Sequence, residues 1–212
     1  MSAELFKKMA QSIIDGDSDI SVELARESIS QNIDPIQAIT DGFVIGVNTV
    51  GDAFAAGDAF LPELVMAGEA MKAAVATLEP EMEKRGTQRK MLGKVVLATV
   101  EGDIHEIGKS LVGTMLTASG FEVIDLGVDV KSTKLVEKVK EVDADILAMS
   151  ALLTTTMSNM EKITQEIKKA KPETLVAIGG APVNEDFQKK IGADVYTPDP
   201  QGLVEFLNLK TA

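Results

Sequence analysis

The chain has 212 residues, enough for one large domain or two small ones, and 21 Lys and Arg against 33 Asp and Glu give it a formal net charge of −12. No stretch has the clustered basic residues of a phosphate-binding patch, which argues against nucleic acid as a partner, and the lack of cysteine excludes disulfides, thiolate metal sites and a cysteine nucleophile. The opening Met-Ser-Ala-Glu-Leu-Phe-Lys-Lys has no signal-peptide core, and no apolar run approaches the ~20 residues of a membrane span, so a cytoplasmic protein without membrane contact is expected.

The first part of the chain reads as helix by its apolar period. Leu5, Met9, Ser12 and Ile13 form one stripe. Val22, Leu24, Ala25 and Ile29 form a second, behind the capping sequence Asp17-Ser18-Asp19. Asp34-Pro35 opens a third helix, with aspartate as cap and proline in the first turn, and it runs through Ile39, Phe43, Val47 and Val50 to about Phe54. Leu61-Pro62-Glu63 opens a fourth, through Leu64, Met71, Val75 and Leu78. Four helices with short connections predict a bundle, assigned to residues 1–88. Residues 80–92 are charged, lack an apolar period and read as a linker.

From Gly93 the rhythm changes. Strand-like runs fall at 94–100, 121–127, 145–150, 174–178 and near 194–196. Helix-like stretches at 106–119, 131–142, 157–170, 184–191 and about 200–208 separate and follow them. Alternating strand and helix predicts a parallel sheet with right-handed crossovers, here a flavodoxin-like, Rossmann-like five-stranded α/β domain over residues 89–212.

Three loops at strand ends carry the chemistry, which is where open α/β sheets bind ligands. The first is Asp103-Ile-His105-Glu-Ile-Gly108, containing the only histidine. A neutral imidazole ligates metal through one nitrogen while the other donates to a carboxylate, and a nearby glycine admits a flat cofactor. The second is Ser150-Ala-Leu152-Leu-Thr154-Thr155-Thr156, with four hydroxyls. The third is Gly179-Gly180-Ala-Pro182, whose glycines permit positive φ and close approach. Each loop alone also has a plain structural reading: a capped surface histidine for the first, helix-capping hydroxyls for the second, and a tight strand-to-helix turn for the third, where the turn is the favoured one.

Together they are more specific. Asp-x-His-x-x-Gly, then 41 residues, then Ser-x-Leu, then 26 residues, then Gly-Gly resembles the signature of cobalamin-binding domains. That family includes the cobalamin module of methionine synthase, the small subunits of some aminomutases, and the corrinoid proteins of methanol and methylamine methyltransferase systems. The stretch from Gly46 to Leu64 is similar to the helical cap of the methyl-transfer branch, and Gly192-Ala-Asp194-Val-Tyr196-Thr-Pro-Asp199 to the family's final strand and turn. A bundle followed by this domain most closely resembles the free-standing corrinoid proteins.

The resemblance implies cobalamin, as methylcobalamin or cob(I)alamin, or a related corrinoid, bound with its dimethylbenzimidazole displaced from cobalt. His105 is then the cobalt ligand and Asp103 its partner, with Thr156 where the family's relay has serine. Gly108 makes room beside the nucleotide tail, Ser150 hydrogen-bonds the displaced base, and Leu152, Thr154, Gly179 and Gly180 complete the cofactor contacts. Since ligation needs the neutral ring, it should weaken at low pH. Phe54, Phe60, Leu61, Leu64 and Met66 are expected to shield the methyl–cobalt face, though apolar residues at this spacing also read as bundle core.

The function implied is a methyl carrier, not catalytic by itself. A substrate-specific methyltransferase loads it from a methylated amine, betaine or methanol, a second methyltransferase unloads it to a thiol or tetrahydrofolate-type acceptor, and an ATP-dependent reductive activator restores it. The alternatives are a cobalamin-dependent sensor, against which stand the missing Trp and basic recognition helix, and a mutase small subunit. A cofactor-free receiver domain would need a phosphorylatable aspartate after the third strand, where Ser150-Ala-Leu152 stands instead.

Overall fold

A computed structural model describes residues 2–86 and 91–211. The chain forms two compact units, Met1–Lys90 with Ala118–Gly120, and Met91–Thr117 with Phe121–Ala212. The boundary expected at 88/89 lies outside the described residues.

The first unit is built from α1 (Ser2–Ile14), α2 (Ser18–Ser30), α3 (Pro35–Gln37), a π-helical turn (Ala38–Phe43), α4 (Val44–Ala56) and α5 (Leu61–Arg85). Local chemistry sets the helix starts. The Asp17 side chain accepts from the Ile20 amide, and Asp34 accepts from Ile36 and Gln37 while Pro35 takes the first turn. Glu63 accepts the Phe60 amide at 2.5 Å, closing the first turn of α5.

Leu5, Met9, Ser12 and Ile13 are buried as their period predicts. On α2 the buried face is Ser21, Leu24, Ala25 and Ser28; Val22 and Ile29 are only half-buried. The Ser12 and Ser21 hydroxyls meet at 2.8 Å and Ser28 bonds back to the Ala25 carbonyl, so small, satisfied hydroxyls take positions expected of branched aliphatics. The third helix is not uniformly α: its π turn buries Ile39 and Phe43. Beside it, a Cβ on Gly46 would lie 2.4 Å from the Ala10 carbonyl oxygen, so α1 and α4 cross at glycine contact distance.

The linker expected at 80–92 is corrected over its first part. α5 continues past Pro80 to Arg85, with Met82 buried and Gly86 as a left-handed cap. Arg85 bonds Glu81 at 2.8 Å and the Ile33 carbonyl at 3.3 Å, holding the last turn. The charges there are the solvent face of a helix. Residues 87–90 lie outside the described residues.

The second unit alternates strand and helix: β1 (Lys94–Thr99), α6 (Ile107–Ser119), β2 (Glu122–Asp125), α7 (Ser132–Glu141), β3 (Ile146–Ser150), α8 (Met157–Ala170), β4 (Leu175–Gly179), α9 (Glu185–Ile191), β5 (Val195–Tyr196) and α10 (Pro200–Thr211). All strands are parallel, in the order β2-β1-β3-β4-β5. This is the flavodoxin order, and the chain reverses direction of winding between β1 and β3.

The two faces of the sheet differ. Val96, Ala98, Leu147, Met149, Val176 and Ile178 join Leu135 and Val139 of α7 and Met160, Ile163 and Ile167 of α8 in one continuous core. The alternate positions are smaller. Register places Leu97, Ala148 and Ala177 in one row and Thr99, Ser150 and Gly179 in the next. Small side chains at the carboxyl ends of the strands leave space on that face.

Candidate functional site

The loop after β1 is held from several directions. Gly102 adopts φ +81° and donates to Asp129 at 2.7 Å, and the Asp129 amide donates to the Asp103 carbonyl at 3.0 Å. Asn159 of α8 donates to the Glu101 carbonyl at 2.7 Å. This frame delivers the Asp103 carboxylate, completely buried, beneath His105.

Asp103 Oδ1 accepts from His105 Nδ1 at 2.7 Å and from the His105 amide at 3.0 Å. Oδ2 accepts from the Leu152 amide at 2.7 Å, the Leu153 amide at 3.2 Å and the Thr156 hydroxyl at 3.0 Å. Burial pushes the carboxyl up, but the His105 and Leu152 amides, the His105 ring and the Thr156 hydroxyl more than offset it, and Asp103 sits well below the usual carboxylate range. A charged Asp103 fixes the proton on Nδ1 and leaves Nε2 as the nitrogen able to ligate. The ring is half exposed, at 48% of its side-chain surface.

His105 stands on a cavity of about 720 Å³. It runs along the small-residue face of the sheet, with Leu97, Ala148, Ser150, Ala177 and Gly179 on the strands, Gly108 and Val112 on α6, and Tyr196 and Leu203 at the far side. A Cβ on Gly108 or on Gly179 would meet nothing within 4 Å, so both glycines border open space. Gly180 is different: at φ +122° an added Cβ would lie 1.9 Å from the Ala151 carbonyl oxygen. It shapes the wall and excludes every other residue.

The structure thus gathers Asp103, His105 and Thr156 into one hydrogen-bonded chain, and Gly108, Ser150, Leu152, Gly179 and Gly180 around one cavity. Thr154 is exposed on the turn after β3 and is not among the cavity residues. Leu64 belongs to the core of the helical unit, at 1% exposure, whereas Phe60 is 71% exposed.

Sequence reading missed Thr99, Lys109, Asp129 and Asn159. Thr99, buried at the end of β1, meets the Ser150 hydroxyl at 2.8 Å and donates to the His105 carbonyl at 2.9 Å. Its signal was a polar residue closing an apolar strand. Lys109, also lining the cavity, has a fully buried side chain paired with Asp125. Asp129 and Asn159 act through backbone groups, which leave no pattern in sequence.

An imidazole oriented by a buried carboxylate, at the winding reversal of a doubly wound sheet and over a mostly apolar cavity, defines a ligand-binding domain with one imidazole nitrogen left open for ligation. Exposed Ile104 and Ile107 line the same cavity and add apolar surface to it. Residues 93–206 match the family described as B12 binding domain, and residues 5–79 match a second model of the same description. The chain belongs to the B12-binding domain family, and its cofactor is accordingly cobalamin or a related corrinoid.

The relatives narrow the class. The chain is 45% identical over 195 residues to trimethylamine corrinoid protein 2 of Methanosarcina mazei, covering 91% of this chain and 89% of that protein. Among solved structures it resembles a cobalamin-binding protein from Desulfitobacterium hafniense, with TM-score 0.80, 34% identity and coverage of 96% and 97%. It also resembles a chain of the methanol:cobalamin methyltransferase complex from Methanosarcina barkeri, with TM-score 0.86, 30% identity and coverage of 98% and 80%. It is a corrinoid protein of the methylamine and methanol methyltransferase kind.

Proposed function

We propose that the protein carries a methyl group between two methyltransferases, on cobalamin whose cobalt is ligated by His105 with the dimethylbenzimidazole displaced. The observation that carries this reading is the His105–Asp103 pair: Nδ1 is occupied by a buried carboxylate and the ring opens on the 720 Å³ cavity. When bound, the cobalt supplies the centre on which the methyl group rides. The chain's own residues bind and orient. Asp103 holds the imidazole in one tautomer, Thr156 adds a hydroxyl to the far carboxylate oxygen, and this chain can retain a proton that the ring gains when it leaves the metal. Gly108 and Gly179 would leave room for the nucleotide tail, Ser150 would meet its base, and Leu152 and Gly180 would contribute to the walls of that region, while Thr154 stands on the exposed turn outside the cavity.

The donor class favoured is a methylated amine, because relatives at 43–45% identity are named dimethylamine and trimethylamine corrinoid proteins. A substrate-specific methyltransferase loads the carrier and a second one transfers to a thiol or tetrahydrofolate-type acceptor. An ATP-dependent activator recovers the reduced form. The setting is the cytoplasm; no described helix is long and apolar enough to cross a membrane.

The test is the absorption spectrum of protein loaded with hydroxocobalamin and desalted, beside His105→Ala. Retained cobalamin, with an axial-ligand band that His105→Ala alters, is the expected result. Cobalamin that washes off both proteins would end this reading.

A further inference from the structure

Thr99 is completely buried at the end of β1, and its hydroxyl has two oxygens in reach: the His105 carbonyl at 2.9 Å and the Ser150 hydroxyl at 2.8 Å. A threonine hydroxyl has one proton to give. While that proton lies on the His105 carbonyl, Thr99 can only accept from Ser150. Ser150 has then spent its own proton on Thr99 and presents nothing but lone pairs to the cavity it lines. An occupant with an acceptor nitrogen reverses the chain. Ser150 donates to the occupant, Thr99 donates to Ser150, and the His105 carbonyl loses its donor.

We infer that Thr99 is a positioning residue that couples the occupancy of the tail slot to the backbone of the histidine loop, by moving one hydroxyl proton between the His105 carbonyl and Ser150. The inference rests on the corrinoid reading above, in which the acceptor is the benzimidazole nitrogen released from cobalt. The two supports of His105 then differ in kind. Asp103 grips the ring and the amide and is itself buried away from the cavity walls. Thr99 grips the carbonyl and, through Ser150, is in contact with whatever fills the slot. Seating the tail loosens the second grip and leaves the first in place, so the histidine loop gains freedom when the cofactor arrives.

His105 is the only histidine, so protein made with carbonyl-¹³C histidine gives a single labelled resonance. The probe is hydroxocobalamin, and the spectra compare unloaded and loaded protein for wild type, Thr99→Val, Thr99→Ser and Ser150→Ala. Loss of a hydrogen bond moves a carbonyl carbon upfield. The expected pattern has unloaded Thr99→Val upfield of unloaded wild type, while the two loaded proteins coincide. Thr99→Ser follows wild type in both states. Loaded Ser150→Ala stays downfield of loaded wild type, because Thr99 then has no second oxygen to turn to, and this holds even if the valine variant fails to fold. An offset between Thr99→Val and wild type that persists unchanged on loading, or a loaded Ser150→Ala signal that coincides with wild type, overturns the inference and leaves the corrinoid reading intact. Failure of all four proteins to retain hydroxocobalamin overturns both.

Discussion

One oxygen of Asp103 binds both ends of the same residue: Oδ1 lies 2.7 Å from the His105 ring nitrogen Nδ1 and 3.0 Å from the His105 amide. The ring therefore cannot turn without disturbing the peptide that carries it. Asp103→Asn keeps the shape but replaces one acceptor oxygen by a donor amide, so at least one of five donors loses its partner. Cobalamin affinity should fall on the order of 10–100-fold, the usual consequence of removing the group behind a metal-bound histidine. Stability should fall by about 1–3 kcal/mol for a buried donor left unpaired. Equilibrium dialysis and urea unfolding read the two effects, and unchanged affinity in this variant would show that the pair does not orient the ligand.

The same carboxylate makes stability depend on pH in a definite direction. Burial raises its pKa, but the amides of His105 and Leu152, the His105 ring and the Thr156 hydroxyl hold it well below the usual range. A depressed carboxyl contributes stability that is complete above the unfolded value of about 3.9 and is lost as pH falls below it. The stability difference between wild type and Asp103→Asn should thus narrow as pH falls from about 5 to below about 4, where wild type loses stability more steeply. Denaturation midpoints across that range provide the check, and curves parallel throughout would contradict it.

Two glycines of the site should respond in opposite ways. Gly180 sits at φ +122°, with the Ala151 carbonyl oxygen 1.9 Å from where a Cβ would stand, so Gly180→Ala forces the β3 and β4 ends apart. The expected cost is at least about 3 kcal/mol, or failure to fold. Gly108 lies in the first turn of α6 with nothing within 4 Å of an added Cβ. Gly108→Ala should leave stability unchanged or raise it by up to about 1 kcal/mol, as expected for alanine replacing glycine in a helix. Its effect should appear in cobalamin retention, because the new methyl group enters the cavity. Thermal melts and dialysis on both variants separate the roles; equal loss of stability in the two would show that Gly108 is structural.

The pattern of what the sequence revealed follows from this division. Three of the strands, β1, β3 and β4, were legible because they are continuous apolar runs buried on both faces, between turns that announce themselves. His105, Asp103 and the glycines were legible because their spacing is tied to strand ends. Asp34 and Asp17 were legible as caps because a cap acts within three residues. What failed was nonlocal or disguised. Ser21 and Ser28 look polar but are buried with their hydroxyls satisfied by neighbours. Residues 80–85 look like a linker because Pro80 and the charges hide the buried Met82. Thr99 and Ser150 are 51 positions apart, and only strand pairing puts their hydroxyls together.

The buried pair at the cavity wall gives a last, asymmetric expectation. Lys109 has a side chain with no exposed surface, whereas its partner Asp125 is 38% exposed. Removing the lysine leaves an aspartate that water can reach and that still accepts the Gly127 amide at 2.9 Å. Removing the aspartate leaves a buried ammonium whose nearest remaining carboxylate, Glu106, is 3.9 Å away. Lys109→Met, similar in volume and apolar, should therefore change stability by no more than about 1–2 kcal/mol, while Asp125→Ala should cost about 3–5 kcal/mol, the penalty typical of a buried charge stripped of its partner. The double variant should recover most of that loss, since no charge is then left buried. Urea unfolding of the three variants beside wild type measures the cycle. A larger loss for Lys109→Met than for Asp125→Ala would mean that the lysine supports the wall by charge and not by its length, and that the methionine cannot take its place.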